Sequence, residues 1–346
     1  MNVSSAQDDP GVKLRARAEE LCRAGRALEA IEELSAVNRN LGDPHIERCL
    51  VRLRHAAWAE LDRTPPVKAA TDEVPDLFKG ETGIPEVAAS ELTAMVIRSA
   101  VQHHGSLVAR GLFSPEWCAR LRNGIDRSWD AVERFRATKQ TDPAWFDPMD
   151  TDAYGLTMRD RSFLMIGGTG YVPDSPRLMF DLLEAFDAAD VKRIVGDYFG
   201  EPPALSLVKL AQRRLAPHAS GGWHQDAAVY GKTAETLNVW VAVSRCGDVA
   251  PGLEMFPRRL EELVGTRGVE GVDEYAARTD EVASLTDEVA PARPTFGPGD
   301  AAIFDQLLLH QTAASSDFTE MRYGFESWFF APSTYPDPNR WIPLTY

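Results

Sequence analysis

Apolar residues recur at helical spacing through residues 12–63, with Leu28, Ile31 and Leu34 on one stripe and Ile46, Leu50, Leu53, Ala57 and Leu61 on another. Gly42, Asp43 and Pro44 interrupt the pattern, and Asp43 is placed to cap a helix whose first residue is Pro44. The spacing predicts an N-terminal helical hairpin over residues 1–64. Residues 65–85 hold prolines and acids with little periodicity and are expected to be a linker. Helical spacing returns at 91–103, and the apolar run 106–113 reads as a short strand. Ser114 and Pro115 then open a further helix. His103 and His104 sit at a helix end, where the dipole favours a cation, and that is their expected role. From 136 to 171 periodicity dissolves while Trp145, Phe146, Tyr154, Met158, Phe163 and Met165 remain, which predicts a lid that packs on something apolar. Residues 178–199 are helical again.

Beyond Pro203 the texture changes to short strands, at 204–215, 237–243, 253–256, 301–304 and 322–330, separated by turn residues such as Pro298, Gly299 and Asp300. Strands preceded by helices, rather than interleaved with them, predict a mainly β sandwich or barrel with flanking helices over residues 86–346. Residues 261–288 interrupt the series with many acids and are expected to be a solvated surface excursion without catalytic residues.

With 346 residues the chain is long enough for one large domain with an appendage. A formal charge of −15 offers no long-range attraction to nucleic acid or an anionic membrane, so the expected partner is a small molecule. No uncharged stretch approaches the roughly 18 residues of a membrane span, and a cytoplasmic location is expected. Cys22, Cys49, Cys118 and Cys246 are scattered without metal-knuckle spacing and read as free thiols. Residues 25–34 look like part of a tetratricopeptide repeat with no second copy, so protein or carrier contact through the N-terminal helices stays open beside simple docking on the main domain.

The chemistry centres on Gly221-Gly222-Trp223-His224-Gln225-Asp226. On an extended strand residues i and i+2 project alike, so His224 and Asp226 are expected to point into one cavity as two of the three donors of a 2-His-1-carboxylate iron site. His310 ends the apolar run 301–309 and is the candidate third donor. Arg322 opens the following strand, and its planar guanidinium suits a carboxylate. Along 237–243, Asn238, Trp240 and Ala242 share one face and Leu237, Val239, Val241 and Val243 the other, one for the cavity and one for the helices.

These residues, with Pro251-Gly252-Leu253-Glu254-Met255-Phe256-Pro257, Pro298-Gly299-Asp300, His310-Gln311-Thr312 and the segment His104 to Glu116, give the chain a specific resemblance to the phytanoyl-CoA dioxygenase family of Fe(II)- and 2-oxoglutarate-dependent oxygenases, over about residues 90–332. The resemblance implies a double-stranded β-helix (jelly-roll or cupin-like) core in which His224, Asp226 and His310 bind Fe(II) and Arg322 grips the distal carboxylate of 2-oxoglutarate. By position in the motifs, Trp240, Thr312 and Gln212 would be further 2-oxoglutarate contacts; Glu326 and Trp328 share alternation with Arg322 along its strand and are candidate substrate contacts. The implied reaction uses O2 to hydroxylate an aliphatic carbon, with release of succinate and CO2, on a natural-product intermediate, amino acid or acyl compound. Related halogenases replace the carboxylate by a small residue; retention of Asp226 favours hydroxylation, with desaturation or ring formation as variants. Two other readings compete. A metal-dependent cupin enzyme of another class, isomerase-like, would keep the three donors and leave Arg322 without a co-substrate, and a non-catalytic scaffold would act through the N-terminal helices.

Overall fold

The structure, a computed structural model, describes residues 10–66, 74–150, 167–266 and 275–346. The N-terminal unit contains the expected hairpin and one helix more: α1 (Pro10–Arg23) precedes α2 (Ala27–Leu41) and α3 (Pro44–Ala56). The extra turn falls at Gly25, whose φ of +69° lies where a side chain would be strained. At the second turn Asp43 accepts from the His45 backbone N–H and Pro44 stands in the first helical turn, as the sequence predicts. Ala18, Leu21, Ala30, Leu34, Ile46 and Leu50 pack among the three helices as a small core of their own.

The main body has three layers. Strands β1 (Glu86–Ala88), β2 (Ser106–Arg110), β3 (Thr169–Tyr171), β4 (Ala204–Leu215), β5 (Thr236–Ala242), β7 (Ala301–Phe304), β9 (Arg322–Phe330) and β10 (Pro343–Thr345) form one eight-stranded sheet in the order β1-β2-β7-β5-β9-β4-β10, with β3 on β4. Strands β6 (Leu253–Met255) and β8 (His310–Thr312) form a second, small sheet. Helices α4 (Ala94–His104), α5 (Pro115–Thr138), α6 (Pro176–Ala188) and α7 (Val191–Phe199) cover the outer face of the large sheet. Sheet facing sheet, with a helical layer behind, is the cupin-like jelly roll that the resemblance implies.

Alternation along β5 decides the layering, as the sequence suggests. Leu237, Val239, Val241 and Val243 join Leu121, Ile125, Leu178 and Phe186 in the core under the helices. Trp240 and Ala242 turn the other way and meet Met255, Phe296, Phe304 and Trp328 between the sheets. Two sides of the same strands thus build two different interiors, the outer one for stability and the inner one around the candidate site.

The N-terminal helices dock on this body. Arg177 Nε donates to Glu47 Oε1 at 2.6 Å, and Arg39 pairs with Glu184 at 2.6 Å. Arg54 Nη1 donates to the Thr345 carbonyl at 3.0 Å. His103 and His104 contact the Val74 carbonyl and Asp76, so they help tie down the helix end that they occupy. Among the described residues no helix is long and apolar enough to cross a membrane. All four cysteines are free, and burial pushes the Cys118 and Cys246 thiols up to about 11 and about 12.

One expectation needs correction. Part of the acidic stretch is anchored: Val264, Ala277 and Val282 are buried with Phe256 and Leu309, and the Ala277 N–H donates to the Trp223 carbonyl at 2.7 Å. Its few apolar residues decide its placement, while the acids of α9 (Thr279–Glu288; α8 is the turn Ala227–Tyr230) face outward. In the expected lid, Trp145 and Phe146 pack with Ala131, Val132 and Phe135 of α5. Tyr154, Met158, Phe163 and Met165 lie outside the described residues.

Candidate metal centre

His224 and His310 meet through their backbones. Each N–H donates to the other's carbonyl at 3.0 Å, which makes the two residues a directly opposed antiparallel pair. The pairing continues sideways, from Ala292 to Met255, His310, His224 and Ala276. This row widens the small sheet and sends both imidazoles from one face of it, with ring centroids 4.3 Å apart.

Asp226 arrives differently from expectation. Its φ of −65° and ψ of −20° are helical, because it begins α8 rather than continuing a strand. The turn still swings the carboxylate toward His310, whose Nε2 lies 3.8 Å from Asp226 Oδ2. One donor atom from each of His224, Asp226 and His310 falls within 4.8 Å of the others. Gln225, between two donors, fastens the turn: its amide nitrogen donates to the Leu307 carbonyl and its oxygen accepts from the Val264 N–H, both at 2.8 Å.

The backbone also settles which imidazole nitrogen is free. His224 Nδ1 is 2.8 Å from the Gly222 carbonyl and His310 Nδ1 is 3.1 Å from the Leu308 carbonyl. A carbonyl only accepts, so both Nδ1 atoms carry the proton and both Nε2 lone pairs remain for a metal. Burial, with His224 nearby, pushes His310 down to about 4, so its ring is neutral at ordinary pH. Burial alone would raise the Asp226 carboxyl, but Lys209, His224 and His310 hold it below its usual range. Lys209 Nζ lies 3.4 Å from Asp226 Oδ1, which leaves Oδ2 turned to the histidines.

Arg322 stands on the inner face of β9 and is 1% exposed. Its Nη1 donates to the carbonyls of Pro251 (3.3 Å) and Gly252 (3.1 Å), while its Nε has no partner. Gly252 permits the tight turn that offers these carbonyls, since a Cβ there would sit 2.7 Å from Gly247 Cα. Among the described residues no carboxylate pairs with Arg322. Burial pushes its pKa down to about 10, so it remains a buried, uncompensated cation. Trp240 lies beside it, with the Arg322 Cζ 5.5 Å from the ring centroid and the indole N–H likewise unpartnered. Thr312 shares the His310 face of β8 and pairs with Leu253, the residue after Gly252.

Gln212 is a correction. It lies in the row Ala109–Ala301–Val241–Phe325–Gln212, which faces the helices. Its Nε2 donates to Ser128 of α5 at 2.9 Å, and it borders a cavity of about 20 Å3 under that helix. The cause is a bulge in β4 between Leu205 and Leu210, which reverses the alternation. The same reversal turns Lys209 and Arg213 inward, a role that the sequence reading missed. Its signal was a lysine inside the apolar run of β4. Of the two substrate candidates, Glu326 is held by Arg213 through two 2.7 Å contacts, and Trp328 packs edge-on against Phe304.

A family model, Phytanoyl-CoA dioxygenase (PhyH), matches residues 101–322. The chain belongs to this family. PhyH membership makes it an oxygenase enzyme of the dioxygenase type. The cofactors of the family, ferrous iron, 2-oxoglutarate and dioxygen, fit what the site offers: two imidazoles held through their Nδ1 atoms and a carboxylate, with a buried guanidinium on the inner face of β9 that has no carboxylate partner among the described residues. Among solved structures, AviO1 from Streptomyces viridochromogenes Tue57 is 17% identical, covering 71% of this chain and 99% of its own, with a TM-score of 0.46. EvdO2 from Micromonospora carbonacea var. aurantiaca, complexed with 2-oxoglutarate, is 14% identical over 71% of this chain and 95% of its own, at 0.45. EctD from S. alaskensis, in its apoform, is 14% identical over 75% of this chain and 85% of its own, at 0.49. No curated protein matches the chain.

Proposed function

We propose that this PhyH protein hydroxylates an aliphatic carbon of a small organic substrate, with release of succinate and CO2. His224, Asp226 and His310 hold the iron, Arg322 takes the distal carboxylate of 2-oxoglutarate, and Trp240 and Thr312 lie against it. The substrate is a natural-product intermediate, an amino acid or an acyl compound. Residues 86–346 are then the oxygenase domain, joined through 65–85 to a helical unit, 1–64.

One observation carries this reading: three donors converge on the inside of the fold while a guanidinium with an unpartnered Nε waits on the inner face of the large sheet. Iron, when bound, couples dioxygen to 2-oxoglutarate and supplies the oxidising power for cleavage of a carbon–hydrogen bond. The protein's own part is arrangement. The Nδ1 contacts to Gly222 and Leu308 fix both imidazoles in the tautomer that presents Nε2. Lys209 occupies one oxygen of Asp226 and leaves the other for the metal. Arg322, still charged at neutral pH, fixes a co-substrate carboxylate by charge and by planar donors. The apolar surroundings, Phe304, Trp328 and Phe296, exclude water from the chemistry.

The test is a screen of substrate classes for succinate release with iron, ascorbate and 2-oxoglutarate under labelled dioxygen. One class should raise succinate above the substrate-free rate and give a product carrying one labelled oxygen. Product formed without dioxygen or 2-oxoglutarate would overturn the reading.

A further inference from the structure

The last residues of the chain reach the inside of the fold. After β9 the chain passes through α10 (Pro338–Trp341) and ends in β10, which pairs with β4 at Pro343–Ser206, Leu344–Leu205 and Thr345–Ala204. Residues 331–346 lie beyond 101–322, the stretch that the family model matches.

This segment is joined to β4 where that strand leaves the long ladder. Leu205 pairs with Phe329 and Leu210 with Ser327, so the residues between them, Ser206 to Lys209, face a single residue of β9, Trp328. Two of their donors go to the C-terminal segment instead. The Leu207 N–H donates to the Ile342 carbonyl at 3.0 Å, and the Ser206 hydroxyl donates to the Trp341 carbonyl. The bulge that turns Lys209 inward is thus held from the C-terminal side.

Trp341 is the second link. It is 8% exposed and packs in the inner core with Tyr230, Trp328 and Phe330, meeting the Tyr230 ring edge-on at 5.6 Å. Lys209 Nζ lies 5.0 Å from the Tyr230 ring centroid and 5.7 Å from that of Trp341, and it pairs with Asp226 Oδ1 at 3.4 Å. The lysine stem is flexible, and one carboxylate oxygen at that distance is a weak anchor; two aromatic rings confine the ammonium beside it. Tyr230 shares the α8 turn with Asp226, so one ring travels with the carboxylate. The other comes from the far end of the chain.

The backbone beside Trp341 is strained. Ile342, fully buried and β-branched, has φ +37° and ψ 91°, outside the regions such a residue normally adopts. Strain of this kind persists only where the surroundings fix it, and it gathers at functional sites. Here the bonds to β4 fix it. The result is that two consecutive side chains part, Trp341 into the inner core and Ile342 into the outer one.

We infer that this C-terminal segment supports the metal centre, with Trp341 as a positioning residue: acting through Lys209, it keeps Asp226 Oδ1 engaged, so that the carboxylate offers a metal Oδ2 alone. A carboxylate free to bind through both oxygens would take up a position that the co-substrate needs. The inference rests on the assignment of His224, Asp226 and His310 as metal donors.

The experiment has two readouts. In the metal-free chain, a pulse of acetic anhydride followed by peptide mass analysis measures acetylation of Lys209 against the exposed Lys79. Trp341→Ala should speed the reaction of Lys209 several-fold, and Trp341→Phe, which keeps a ring, should restore its protection. In the anaerobic chain with ferrous iron, visible absorption reports 2-oxoglutarate affinity. Trp341→Ala and Lys209→Met should each weaken it about tenfold. The double variant should be no weaker than Lys209→Met, because both changes act on one carboxylate oxygen, whereas a ring that only filled the core would give additive losses. Trp341→Leu, bulky but without a cation-binding face, replaces Trp341→Ala if that variant folds poorly. An unchanged rate at Lys209, unchanged 2-oxoglutarate affinity or additive losses would overturn the role of Trp341 alone; an intact chain that binds no iron would remove the metal centre and this inference with it.

Discussion

The two sheets of this protein are built by unequal means. In the large sheet β5 and β9 pair continuously from Thr236–Phe330 to Ala242–Gly324, and every position has a partner on a long ladder. The small sheet has one three-residue ladder, β6 with β8, extended to His224 and Ala276 by isolated bridges. The long ladders carry the guanidinium and the indole, and the short ones carry the two histidines, with Asp226 on the turn that follows His224. Rigidity of the fold and assembly of the metal centre therefore live on different elements, and they should be separable by mutation.

The sharpest separation pairs two substitutions. His310→Ala should abolish iron binding and turnover while the metal-free chain still unfolds cooperatively; equilibrium metal titration beside thermal melting reads both. Phe329→Ala, in the fully buried outer face of β9, should cost about 3–5 kcal/mol of stability and leave the donors in place if the chain folds. If the two variants lost metal and stability together, the comparison would fail. Arg322→Ala comes next: 2-oxoglutarate affinity should fall by about two orders of magnitude with iron affinity largely kept. Unchanged co-substrate affinity would remove Arg322 from its role. The smallest effect is expected at Gln212. Gln212→Ala should lower stability by about 1 kcal/mol through the lost Ser128 contact and leave 2-oxoglutarate affinity unchanged. A clear loss of affinity would return Gln212 to the site.

The same contrast explains what could be read from the chain alone. β4 and β9 fall on the stretches 204–215 and 322–330 that the apolar pattern marks, because long strands buried on one or both faces print their alternation or their density on the sequence. The faces of β5 were legible for the same reason. Alternation also suggested that His224 and Asp226 project together, yet Asp226 starts a helical turn, and the two converge through a turn and a cross-strand pair. Isolated bridges between distant segments leave no periodic trace, so Ala276 beside His224 could not be anticipated among the acids of 261–288. The bulge in β4 was equally silent: three extra residues between Leu205 and Leu210, an odd number, exchanged the faces of Lys209 and Gln212.

The most direct measurement is the visible absorption of the anaerobic protein after ferrous iron and 2-oxoglutarate are added together. The account predicts a metal-to-ligand charge-transfer band in the intact chain, lost in His310→Ala and recovered in Arg322→Ala only at higher 2-oxoglutarate. A spectrum without that band in the intact protein, at concentrations saturating both additions, would contradict it.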